Sequence, residues 1–158
     1  MLSFEPASET QRDAIARVVR QVMLEHDLDP SSDHTEIELS TLPGACRQAG
    51  GEFLVVLDPA GRIVGTLGIK ASMTGTAGAK VCELTRMYLL PEYRGKGEGG
   101  RMLSEALRVA ASLGFSTVEL ETAPVFGAAI RLYRKNGFRS VPQPASASQC
   151  SLRFSRDV

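Results

Sequence analysis

The densest chemistry in this 158-residue chain lies between Val81 and Arg101, in VCELTRMYLLPEYRGKGEGGR. An apolar segment there meets a glycine-rich turn carrying Arg94, Lys96 and Arg101, and the turn runs straight into helical spacing. Glycines let backbone approach a ligand closely. A helix start offers unpaired N–H groups and a partial positive charge. Together they suit a phosphate-bearing ligand. Glu83, inside the segment before the turn, is a carboxylate able to accept a proton directly or through water.

Hydrophobic patterning supplies the scaffold for that turn. Residues 2–4 predict a short strand, and residues 10–26 have helical spacing with Ile15, Val18, Val19, Val22 and Met23 on one face. Asp27-Leu28-Asp29-Pro30 ends that helix. Residues 33–48 predict a second short helix interrupted at Pro43-Gly44. Residues 52–57 and 63–71 predict a hairpin around Asp58-Pro59-Ala60-Gly61. Residues 72–79 read as a loop and 80–90 as a long strand. Beyond the turn, Met102, Leu103, Ala106, Leu107, Ala110 and Leu113 form an apolar stripe, capped by Gly114. A strand over 116–121, a helix over 125–135 and a strand from Phe138 follow. Residues 142–148 predict a linker and 150–154 a closing strand. The order predicts one mixed α/β domain over residues 1–158, with no internal repeat.

Composition narrows the function. Hydrophobic residues make up 43% of the chain, which suits a globular protein with its own core. Lys plus Arg equals Asp plus Glu at 18 each, which argues against bulk electrostatic binding to nucleic acid or acidic lipid. No apolar stretch reaches membrane-spanning length. The acidic, polar start MLSFEPASETQRD does not resemble a secretory signal. Cys46, Cys82 and Cys150 are odd in number and widely spaced, so they predict free thiols rather than a disulfide frame or a metal site. The expectation is a cytoplasmic protein without metal, nucleic-acid or membrane partners.

Two patterns overlap in the turn. Gly95-Lys-Gly97-Glu-Gly99-Gly100 contains G-x-G-x-x-G, and Glu119 or Glu121 ends the next strand about 20 residues on, as in a dinucleotide site. Against this, Pro91-Glu92-Tyr93-Arg94 separates the strand from the first glycine, and the chain after Gly100 is short for a doubly wound domain. The second pattern, Arg94-Gly-Lys-Gly97-Glu-Gly99, fits Arg/Gln-x-x-Gly-x-Gly/Ala. Glu83 to Gly97, together with Ala129-Ile-Arg-Leu-Tyr133-Arg-Lys-Asn-Gly137-Phe138, resembles the two signatures of the GCN5-related N-acetyltransferase (GNAT) superfamily. The hairpin also sits where that family has its meander, so the resemblance covers most of the chain.

The resemblance implies a mixed, mostly antiparallel sheet flanked by helices. Two splayed parallel strands would form the acetyl-CoA cleft. It implies that backbone groups of Met87, Tyr88 and Leu89 pair with pantetheine, as an added strand would. Arg94, Gly95, Lys96, Gly97, Glu98 and Gly99 would hold the pyrophosphate. Glu98 stands where the family has an apolar residue, and a carboxylate there would repel phosphate unless it points away or serves the first helical turn. Tyr133 would be the general acid at the leaving thiolate, and the Leu89 N–H the oxyanion donor. Glu83, eleven residues before Arg94, matches the catalytic glutamate of the histone acetyltransferases in this superfamily, the alternative being a strand glutamate paired to Arg86. Glu121 is a second base candidate. Phe126 replaces a frequent asparagine and removes one expected contact. The implied activity is direct acetyl transfer to a primary amine on a small molecule, a peptide N-terminus or a lysine. A Cys82 acyl-enzyme route is disfavoured, because Cys82 should face away from Glu83. A non-catalytic acyl-CoA-binding module and a nicotinamide enzyme are the alternatives. Family members often pair through their last strands, so a homodimer is an assembly the resemblance allows.

Overall fold

The computed structural model describes residues 1–72, 80–143 and 151–158. Most of the expected loop over 72–79, most of the linker over 142–148, and Cys150 lie outside the described residues. Seven strands form one sheet: β1 (Ser3–Pro6), β2 (Glu52–Leu57), β3 (Ile63–Ala71), β4 (Val81–Leu89), β5 (Thr117–Thr122), β6 (Arg139–Val141) and β7 (Leu152–Asp157). Their order is β1-β2-β3-β4-β5-β7-β6. Every neighbouring pair is antiparallel except β4–β5. One parallel pair is incompatible with the doubly wound sheet that a dinucleotide fingerprint requires.

Helices cover both faces. α1 (Arg12–Glu25), α2 (Asp33–Thr41) and α3 (Gly44–Gln48) pack on one side, and α4 (Glu98–Ser112) and α5 (Gly127–Lys135) on the other. Strand β2 explains why both are needed. Phe53 and Val55 face α1 while Leu54 and Val56 face the α4 side, so the run FLVV is buried throughout. The α1 stripe of Ile15, Val18, Val19, Val22 and Met23 is entirely buried. In α4, Met102, Leu103, Ala106 and Ala110 are buried as expected. Leu113 is 44% exposed, because it lies beyond the last helical residue, where the stripe no longer follows the core.

Strands β4 and β5 pair only from Val81↔Thr117 to Leu84↔Leu120. Strand β4 then carries an irregularity: Thr66 pairs with Tyr88 and Gly68 with Thr85, so Arg86 and Met87 together face Leu67 alone. Two residues opposite one is a β-bulge, which bends the strand and sharpens its twist. Arg86 takes φ 49°, unusual for a residue with a side chain, and its carbonyl accepts the buried Thr66 hydroxyl at 2.7 Å. The two parallel strands therefore part beyond Leu84, leaving a V-shaped gap.

Gly65 sets how closely β3 approaches the bent strand. A Cβ there would lie 2.8 Å from the Tyr88 carbonyl oxygen and 3.1 Å from side-chain atoms of Leu89 and Val56. Gly65→Ala must push β4 outward at Tyr88–Leu89. A loss of about 1–3 kcal/mol is expected from urea unfolding, by the cost of overpacking.

Candidate active site

The glycine turn forms as the spacing requires. A short 3-10 turn over Pro91–Tyr93 leads to Arg94, and Gly95 and Gly97 adopt φ 77° and 84°. Side chains rarely tolerate that region, and a Cβ on either glycine would meet nothing within 4 Å. The missing side chains thus leave open space before the α4 N-terminus. The first intrahelical bond runs from Arg101 N–H to the Gly97 carbonyl at 3.3 Å, so the N–H groups of Glu98, Gly99 and Gly100 have no partner within the helix. Glu98 opens α4 and pairs with Arg101 at 2.7 Å, which offsets its charge within the first turn.

The Arg94 side chain is committed inside the protein. Its Nε donates to the Leu89 carbonyl at 2.8 Å, and its two terminal nitrogens donate to both Glu25 oxygens at the end of α1. The guanidinium holds the Glu25 carboxyl below the usual carboxylate range, against opposing burial. The turn is anchored on its other side by Tyr93, whose hydroxyl donates to the buried Asp58 carboxylate at 3.1 Å. The Leu90 N–H is bonded to Val64. Amide directions alternate along a strand, so the Leu89 N–H faces the opposite edge, where β5 has departed.

Two cavities meet at the gap. One, about 430 Å³, is lined by Leu89, Arg94, Gly95, Gly97, Gly99 and others on the turn side. The second, about 440 Å³, is lined by Glu83, Tyr133, Glu121, Arg86, Lys70 and others on the α2 side. Met87, Tyr88, Phe126 and Ala129 line both. Of the residues singled out from the sequence, Met87, Tyr88, Leu89, Arg94, Gly95, Gly97 and Gly99 surround the first cavity, and Glu83, Glu121 and Tyr133 the second. Lys96 and Glu98 belong to the turn but do not line the cavity.

Tyr133 is 6% exposed, packed by the rings of Phe138 and Phe154, and burial pushes its phenol up to about 12. Cys82 lies on the opposite face from Glu83, in the core beside α4, and burial raises its thiol to about 12. It is therefore held as an unreactive thiol. Arg86 does not pair with Glu83, the alternative the sequence left open. Its guanidinium instead binds the Glu38 carboxylate of α2 and donates to the Tyr88 hydroxyl at 3.1 Å. Phe126 stacks against Tyr88 at 5.9 Å and meets the His26 ring at a tilt at 4.5 Å, bridging the walls of the gap. Sequence reading missed Glu25, Glu38 and Lys70, and drew no role from His26. No local spacing marks a partner many tens of residues away.

The Acetyltransferase (GNAT) family matches residues 18–138, and the chain belongs to that family of acyltransferases. It is 35% identical over 150 residues to the uncharacterized N-acetyltransferase YjgM of Escherichia coli (strain K12), covering 92% of this chain and 88% of that protein. Among solved structures it is similar to a GNAT-family acetyltransferase from Staphylococcus aureus Mu50, with a TM-score of 0.86 at 18% identity over 99% of both chains. A phosphinothricin acetyltransferase from Sinorhizobium meliloti, solved in complex with AcCoA, gives a TM-score of 0.80 at 23% identity, covering 99% of this chain and 88% of that one. The two structural likenesses bear on the fold.

The Glu25–Arg94 pair yields a signed pH prediction. A carboxyl whose folded pKa is lowered from 4.5 contributes stability that is complete above the unfolded value and lost as pH falls through the folded one. Its partly exposed setting limits the gain to roughly 0.2–1 kcal/mol. Wild type should therefore exceed Glu25→Gln by that amount in urea at neutral pH. The difference should vanish once the medium is more acidic than the lowered pKa.

Proposed function

We propose that this protein transfers an acetyl group from acetyl-CoA directly to a primary amine. The observation that carries this reading is the meeting of two cavities across the β4–β5 gap, one fronted by a helix N-terminus and glycine turn, the other holding Glu83 and Tyr133. The open space at Gly95 and Gly97 and the unpaired first-turn amides of α4 fit a diphosphate. The edge of β4 freed by the bulge fits an extended chain of amides. Acetyl-CoA bound there supplies the activated acyl group as a thioester.

The chain's residues then do three things. Glu83 takes a proton from the acceptor amine, making its lone pair available. The Leu89 N–H donates to the carbonyl oxygen as negative charge builds on it. Tyr133 donates its phenolic proton to the departing CoA sulfur. Because its pKa lies at about 12, the phenol keeps its proton through the ordinary working range and is lost as a donor only under strong alkali. Phe126 and Tyr88 shield the junction from water. A reducing cytoplasm suits the free, buried thiols of Cys46 and Cys82.

Calorimetric titration tests the donor: saturable acetyl-CoA binding with no NADH binding is expected. Binding without thiol release across an amine panel would leave only a CoA-binding module.

Tyr133→Phe separates acid catalysis from binding. It should lower kcat about 100-fold or more, the scale of a lost general acid, while acetyl-CoA affinity stays within about twofold. Unchanged turnover would remove Tyr133 from the mechanism.

A further inference from the structure

The α2-side cavity holds more charge than acetyl transfer alone needs. It is lined by two strong cations, Lys70 and Arg86, and three carboxylates, Glu38, Glu83 and Glu121. Most of this charge is already committed or peripheral. Arg86 has its guanidinium filled by Glu38 and the Tyr88 hydroxyl. Glu121 is exposed at the rim. Glu119, on the neighbouring strand, is paired with Arg153.

Lys70 and Glu83 remain. They are direct partners in the β3–β4 register, so their side chains share one face of the sheet. Both are half-buried and both line the cavity. Among the described residues, neither forms an ion pair, with the other or with a third group. Both heads therefore stay available at the cavity wall for a ligand that carries one charge of each sign.

We infer that the acceptor is a free amino acid, its amine against Glu83 and its carboxylate on Lys70. This rests on the acetyl-transfer reading and narrows it. Because the two side chains leave adjacent strands at directly opposed positions, their charged ends can engage two neighbouring groups of one small ligand. A cavity of about 440 Å³ has room for a free amino acid with its side chain. A peptide N-terminus brings a neutral amide to Lys70, and a lysine side chain or a simple amine brings no polar group there. In the reaction the ammonium nitrogen loses one proton to solvent by way of Glu83 and bonds to the acetyl carbon. The carbon–sulfur bond breaks, and the second amine proton balances the one gained by the CoA thiolate. The products are the N-acetyl amino acid and the free thiol.

The test is thiol release from acetyl-CoA with the twenty common amino acids, each compared with its α-carboxamide and its decarboxylated amine. For the preferred side chain, kcat/KM for the free acid should exceed that for both derivatives by at least about tenfold, the scale of one charge-assisted hydrogen bond. Lys70→Gln should collapse that ratio toward one, and Lys70→Arg should restore it, with urea unfolding checking that both variants fold. Equal or better use of the carboxamides, of a diamine such as putrescine, or of peptides would overturn the amino-acid assignment while leaving acetyl transfer intact. Acetyl-CoA binding with no thiol release from any amine would overturn the acetyl-transfer reading and the assignment with it.

Discussion

Everything around the gap depends on β4 being unable to follow β5 past Leu84. Two parallel strands in mid-sheet normally satisfy each other along their length, and a break there exposes backbone groups that must find partners. The bulge at Arg86–Met87 enforces the break, and the strained φ of Arg86 is held by the Thr66 hydroxyl on its carbonyl. Beyond the bulge the Leu89 carbonyl is satisfied by Arg94, a residue of the turn itself. The same guanidinium that closes one orphaned acceptor also reaches Glu25, so strand, turn and α1 are fixed by a single side chain.

Much of this was legible from residues in one stretch. Strands β2 and β3 form over the expected residues because an apolar run on each side of Asp58-Pro59-Ala60-Gly61 admits little besides a hairpin. The glycine turn was legible because its spacing is local. The ends of β4, β5 and α5 moved by one or two residues, where fraying and capping decide the boundary. Leu113 was misplaced for that reason.

What could not be read was set by contacts between distant segments. Glu38 approaches Arg86, and Glu25 approaches Arg94, across 48 and 69 positions. Nothing in the sequence around either glutamate distinguishes it from a solvated helix residue. The facing of Lys70 and Glu83 also depends on register, and the register of β4 is altered by its bulge.

The four residues shared by the two cavities have an evolutionary corollary. A substitution at Met87, Tyr88, Phe126 or Ala129 alters both chambers at once, so a chain cannot reshape one of them through these positions and leave the other as it was. Lys70, Glu38 and His34 touch only the α2-side chamber. Divergence that changes one chamber alone is therefore channelled to β3 and α2, where the α2-side chamber can be rewritten while the shared wall stays as it is.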